Sequence, residues 1–278
     1  MKRNLKIKSY IMLGVTALLG LSSCLKDSRY IDFSKNEPLV EFPLAANAGV
    51  LQSAAFDISN NPSNLQVAVN VASPAPLTSA LDVTVGVQNQ AALDAFNTAN
   101  GTTYTLLPAA AYSLPAKVTV PANQRIGILN VTINSSKIDP SGNYALPLII
   151  TDASGKKISN YNTIVYGVSV KNQYDGVYTS TGTRVHPTLG PFPFNYTVTM
   201  STAGATSITG GALADLRSDL KITVNADNSV SLSSNAQPSV TLTPGGVNKY
   251  DPATKTFTLT YYYNTAAPRT ITQVLKKQ

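Results

Sequence analysis

The sequence predicts an all-β protein of two domains, an N-terminal immunoglobulin-like β-sandwich with one short helix and a C-terminal antiparallel barrel-like or curled sheet. Three observations carry this. Short segments alternate apolar and polar residues with period two, and Gly, Pro, Asn and Asp clusters separate them. Thr, Val, Tyr and Ile, the strand-favouring residues, dominate while charged residues make up only 13%. A single cysteine excludes an internal disulfide, so stability must come from packed sheets.

The chain opens on a leader, residues 1–23. Lys2, Arg3, Lys6 and Lys8 form a basic head, and Ile11 to Leu21 an apolar stretch too short to span a bilayer comfortably. Leu21-Ser22-Ser23-Cys24 then resembles the bacterial lipobox. That resemblance implies cleavage before Cys24 and acylation of its thiol and new N-terminus. Each buried methylene would contribute about 0.8 kcal/mol to anchoring. Residues 24–37 are polar and aperiodic and read as a tether. Lys26-Asp27 resembles the charged export signal of Bacteroidetes lipoproteins, which implies display on the outer face of the outer membrane.

The leader holds four of the 21 basic residues, leaving 17 against 14 acidic ones. The overall basic balance is therefore largely the leader's. The paired lysines Lys156-Lys157 and Lys276-Lys277 are too sparse for a nucleic-acid surface.

Residues 38–172 read as the sandwich. Leu65–Val71, Leu81–Val87, Val118–Val120, Ile126–Ile133, Tyr144–Thr151 and Thr163–Val170 are the strand segments. Pro121 blocks further ladder pairing after Val120. Between them, 90–100 places Leu93, Phe96 and Asn97 at helical spacing, and Gly101 stops the run. This helix is expected to cap an open end of the sandwich. Residues 173–278 form the second domain, which Asp175-Gly176 opens as a turn signal. Seven segments follow, at 177–184, 194–200, 220–224, 230–233, 240–243, 256–263 and 269–275, with a weak helical turn at 212–218. Asn225–Asn228 and Asp251–Thr254 have hairpin-turn chemistry.

The run Asn100–Pro108, then Tyr112-Ser113-Leu114-Pro115, Val118–Ala122, Tyr144–Leu148, Asn162-Thr163 and Val170–Gly176, resembles the uncharacterised N-terminal domain of Bacteroidetes surface lipoproteins. That domain also precedes chitobiase-type glycosidases. Tyr261-Tyr262-Tyr263 followed by Arg269–Thr272 resembles the end of the uncharacterised C-terminal domain that partners it. The resemblance implies a polysaccharide-uptake setting beside outer-membrane glycan importers. It carries no catalytic residues across.

Catalytic chemistry is thinly represented. His186 is the sole histidine, no Gly-x-Ser-x-Gly occurs, and metal-ligand spacing is missing. No catalytic residue, metal or cofactor is assigned. A glycosidase needs two opposed carboxylates. The only glutamates, Glu37 and Glu41, lie near the tether, and Asp215 with Asp219 reads as a solvated turn. Binding is easier to support. Phe192-Pro193-Phe194-Asn195-Tyr196 follows Gly190-Pro191 as a proline-spaced loop, and Tyr261–Tyr263 form a second aromatic cluster. Phe192, Phe194, Tyr196 and Tyr262 are the candidate ligand-binding residues, with polysaccharide or oligosaccharide as the ligand. The expected function is a non-enzymatic, lipid-anchored glycan-binding protein. A structural or adhesion lipoprotein, or a divergent glycoside hydrolase, is the alternative.

Overall fold

A computed structural model describes residues 33–237 and 239–278. The leader, Cys24, Lys26-Asp27 and most of the tether lie outside the described residues. No helix among the described residues is long and apolar enough to cross a membrane. Residues 38–72 and 76–278 form one compact unit, and the protein is mostly β.

The first half is two facing sheets. One runs in the order 157–158, 39–41, 63–72, 126–133, 112–113, and the other in the order 51–57, 163–171, 144–152, 81–87, 117–120. Alternation decides the inner faces. Val67, Val69 and Val71 of the first sheet share one core with Val83, Val85, Leu146, Leu148 and Ile150 of the second. Most neighbouring pairs are antiparallel, but the edge strand Leu51–Asp57 runs parallel to Thr163–Lys171.

The helix Gln90–Asn100 is where sequence and structure part. Asn89 caps its start by accepting from the Ala92 amide at 3.0 Å. Gly101 ends it in the left-handed conformation, φ 64°. It does not cap an end of the sandwich. Leu93 packs on Ala145 and Val165, which point away from the main core, so the helix covers the outer face of the second sheet. Tyr144–Asp152 thereby buries both its faces. Asn97 fixes the exit: its Nδ2 donates to the Tyr104 carbonyl at 2.8 Å and its Oδ1 accepts from the Thr102 hydroxyl and the Tyr104 amide.

The second half is a nine-stranded sheet that curls into a nearly closed barrel with its own core. Its main path is 230–233, 218–224, 207–213, 190–202, 176–186, 269–277, 256–263, 241–242. Ser229 bridges to Lys249 and brings the two ends of the sheet together. The interior is filled by Tyr178, Met200, Leu220, Ile222, Phe257, Leu259, Tyr261 and Leu275. Ser180 and Gln273, fully buried polar residues within it, are satisfied. Gln273 Nε2 donates to Ser180 Oγ and to the Ala212 carbonyl, while its Oε1 accepts from the Tyr261 hydroxyl at 2.7 Å. Burial pushes the Tyr261 phenol well above its ordinary pKa.

The proline-spaced segment is a strand, not a loop. The strand Gly190–Thr202 pairs with Gly176–His186 from Gly190 to Met200. Pro191 and Pro193 are accommodated because the other neighbour, Ser207–Leu213, pairs with this strand only at Ser201 and Thr202. Opposite Phe194 stands Gly182, where a Cβ would meet the Phe194 ring and the Thr272 carbonyl. The glycine thus leaves room for that ring to cross the strand.

Asn172 joins the halves. The last sandwich strand ends at Lys171 and the first barrel strand begins at Gly176. Asn172 is 5% exposed. Its Nδ2 donates to the carbonyls of Gly204 (2.9 Å) and Ser207 (2.8 Å), and its Oδ1 accepts from the amides of Tyr174 and Asp175. The connection is pinned to the barrel rather than loose. A polar cleft of about 420 Å³ lies beside it, lined by Asp57, Lys171, Gln173, Asp175 and Lys277 among others.

Candidate functional site

The barrel end remote from Asn172 gathers the unusual side chains. There the chain turns at 187–189, 214–217, 234–240 and 264–268. The register sets which residues face inward. Phe192 stands opposite Arg184, which stands opposite Ile271, which stands opposite Tyr261. Tyr196 lies in the same way opposite Ser180 and Leu275. Phe192, Phe194 and Tyr196, two residues apart along the strand, therefore share the inner face.

Tyr262 does not join them. It aligns with Thr270, Val185 and Pro191 on the outer face, since Tyr261 and Tyr263 take the inner one. The four predicted binding residues are thus split between opposite faces of the sheet. Tyr196 is largely core. It is 9% exposed, its hydroxyl donates to the Ala214 carbonyl at 2.7 Å, and burial raises its phenol pKa. Phe194 packs against the core from a half-buried position, 6.0 Å from the Tyr196 ring centroid. Phe192 is half-buried at the rim.

Residues 211–214 bulge into this end of the barrel and stopper it. The Ser207–Leu213 strand slips register between Gly210 and Leu213, and Ala212, Leu213 and Ala214 are fully buried. A 3-10 turn, Ala214–Leu216, then carries Asp215 across to Arg184. The pair is bidentate: Nε to Oδ1 at 2.6 Å and Nη2 to Oδ2 at 2.7 Å. The Asp215 hydrogen bonds raise the Arg184 pKa further, and Arg184 holds the Asp215 carboxyl below the usual range. The predicted solvated turn at Asp215 is instead an ion pair. Asp219 faces elsewhere and accepts from the Thr209 hydroxyl.

Sequence reasoning also missed the arginines. Arg184 stacks 4.5 Å from the Phe192 centroid, and Arg217 stacks 4.6 Å from that of Tyr196. Arg269 donates to the Ala267 carbonyl and lies 3.1 Å from His186 Nε2. His186 is not a free surface histidine. Desolvation, then Arg269 and Arg184, lower its pKa, so it stays neutral below its ordinary range. A charged residue on the inner parity, as Arg184 is after Tyr178, Ser180 and Gly182, was the available signal. Among the described residues no group of His, Cys, Asp or Glu is arranged to hold a metal.

The comparisons with known proteins agree with this architecture. Two family models match, one of an N-terminal domain over residues 33–157 and one of a C-terminal domain over residues 162–277. The chain belongs to the Bacteroidetes family that pairs these two uncharacterised β domains. Two solved structures of proteins of unknown function from Bacteroides ovatus are similar in fold. One is 14% identical with a TM-score of 0.54, covering 88% of this chain and 93% of its own. The other is 16% identical with a TM-score of 0.53, covering 87% and 93%. An auxiliary nutrient binding protein from Bacteroides thetaiotaomicron is 19% identical with a TM-score of 0.49, covering 89% and 94%. No curated protein matches the chain.

Proposed function

We propose that this protein is a non-enzymatic, lipid-anchored glycan-binding protein of the outer-membrane surface, and that the glycan docks on the barrel mouth. One observation carries the reading: Phe192, its ring partly accessible, is held in place by Arg184, itself fixed by Asp215. A rigid aromatic platform beside oriented hydrogen-bonding groups is the chemistry a sugar ring needs. Asp215 is the one carboxylate in the turns of the mouth and is committed to Arg184, an arrangement that suits holding rather than hydrolysing. The lipobox and the family's implied uptake setting supply the anchor and the importer partners. Titrating full-length mature protein against a glycan panel tests the reading. Binding at millimolar to micromolar level, about 4–8 kcal/mol, is expected, and Phe192→Ala should weaken it while costing under about 1 kcal/mol of stability. Undiminished binding by that variant removes the mouth as the site.

An assembly role is the second reading, favoured by the edge strand Leu51–Asp57. It pairs on one side only and has no charge before Asp57. Ala55→Lys, on the exposed face of that strand, should then block self- or partner association seen in sedimentation. A protein that sediments as a monomer and pulls down no partner removes this reading.

A further inference from the structure

Charge at the mouth narrows the ligand. Three guanidinium groups, those of Arg184, Arg217 and Arg269, stand against one carboxylate, Asp215. The turns at 187–189, 234–240 and 264–268 contain no acidic residue. Asp215 neutralises Arg184, and among the described residues Arg217 and Arg269 have no carboxylate partner. Both retain donors. Arg217 only stacks on Tyr196, and Arg269 uses one N–H on Ala267 and one towards His186.

The backbone holds this arrangement at a cost. Ala214 (φ 43°) and Arg217 (φ 51°) bracket Asp215 and Leu216, both in the left-handed region that non-glycine residues seldom adopt. Ala214 lies in the plug that receives the Tyr196 hydroxyl, and Arg217 ends the 3-10 turn with its guanidinium over the Tyr196 ring. The result is two guanidinium groups with spare donors and no carboxylate partner among the described residues, at the same barrel end as the half-buried Phe192 ring.

Resting on the glycan reading above, we infer that the mouth is selective for anionic glycans, whose carboxylate or sulfate groups engage Arg217 and Arg269 while a sugar face lies on Phe192. Planar guanidinium forks match such oxyanions in bidentate fashion, and a neutral hydroxyl cannot use the charge.

The test is calorimetry on the mature protein with three oligosaccharides of equal length: neutral mannose or glucose, galacturonate, and sulfated. The uronate or the sulfated arm should bind at least about tenfold tighter than the neutral one. Raising salt from about 50 to about 500 mM should erase most of that advantage. Arg217→Gln and Arg269→Gln should each abolish it while leaving neutral binding in place. Arg217 is exposed, so its variant keeps the fold. The two charged arms separate carboxylate from sulfate recognition. Equal affinity for neutral and charged sugars, or charged binding unaffected by both variants, overturns the inference and spares the glycan reading. Binding of no sugar in any arm overturns both.

Discussion

Replacing Asn172 by alanine should destabilise the barrel by about 4 kcal/mol. The side chain satisfies four backbone groups, the carbonyls of Gly204 and Ser207 and the amides of Tyr174 and Asp175. Two of these bonds, to Ser207 and from Tyr174, are buried, and each orphaned group there costs about 1–3 kcal/mol. The other two are only part-buried, so water can replace the amide, and count for about 0.5 kcal/mol each. Such a loss is a large fraction of a domain's stability of about 5–15 kcal/mol and should lower the melting temperature by about 15 °C or more. Asn172→Asp should be at least as harmful, since a carboxylate oxygen would face two carbonyl oxygens. Denaturant unfolding followed by circular dichroism measures the change, and hydrogen exchange localises it to 172–176 and 202–207. The same reasoning places the domain cut: a fragment 172–278 should fold, one starting at 174 should be much weaker, and 38–171 should fold alone. A loss under about 1 kcal/mol for Asn172→Ala would refute the pinned-junction argument.

Three further outcomes are expected. Asp215→Ala leaves Arg184, 7% exposed, without its counter-charge and should cost about 2–3 kcal/mol. Because the folded-state pKa of Asp215 lies below its unfolded value of 3.8, the pair's stabilisation is complete above that value and disappears as pH falls through the folded pKa. An acid titration of wild type against Asp215→Asn should diverge above that window and converge below it. Phe194→Ala should cost about 2–3 kcal/mol in denaturant unfolding because the ring packs on the core, whereas Phe192→Ala at the rim should cost under about 1 kcal/mol. Equal losses for both would show that Phe192 is core as well. Cys24→Ser, expressed in a Bacteroidetes host, should shift the protein from the membrane to the soluble fraction, and wild-type retention would refute acylation there.

Strands with one buried face were legible because alternation reports burial directly. Ile126–Ile133 is read as it stands in the sheet, and Leu65–Val71 forms the middle of the strand Ser63–Ala72. Strands without such a contrast were not. Leu51–Asp57 is an edge with no fully buried residue, and Ser207–Leu213 hides its pattern behind Gly210 and Gly211. The prolines at 191 and 193 pointed to a loop, because a proline's missing donor matters only where a second strand needs it, and sequence does not show where pairing stops. The mouth was illegible for a related reason. Arg184 meets Asp215, and His186 meets Arg269, across long stretches of chain that only the closed barrel brings together.

The parallel partnership of Leu51–Asp57 with Thr163–Lys171 sets an order of events for the growing chain. Leu51 aligns with Val165 and Asp57 with Lys171, so the early strand has no native neighbour until almost the whole sandwich has been made. A nascent chain halted anywhere before Lys171 would carry a bare, uncharged ribbon bounded only by Asp57. During synthesis that ribbon is a site at which a chaperone can bind or neighbouring chains can stick together. Its low hydrophobicity, with only Leu51 and Phe56 as large apolar residues, then limits how strongly it attracts the wrong partner before the right one arrives.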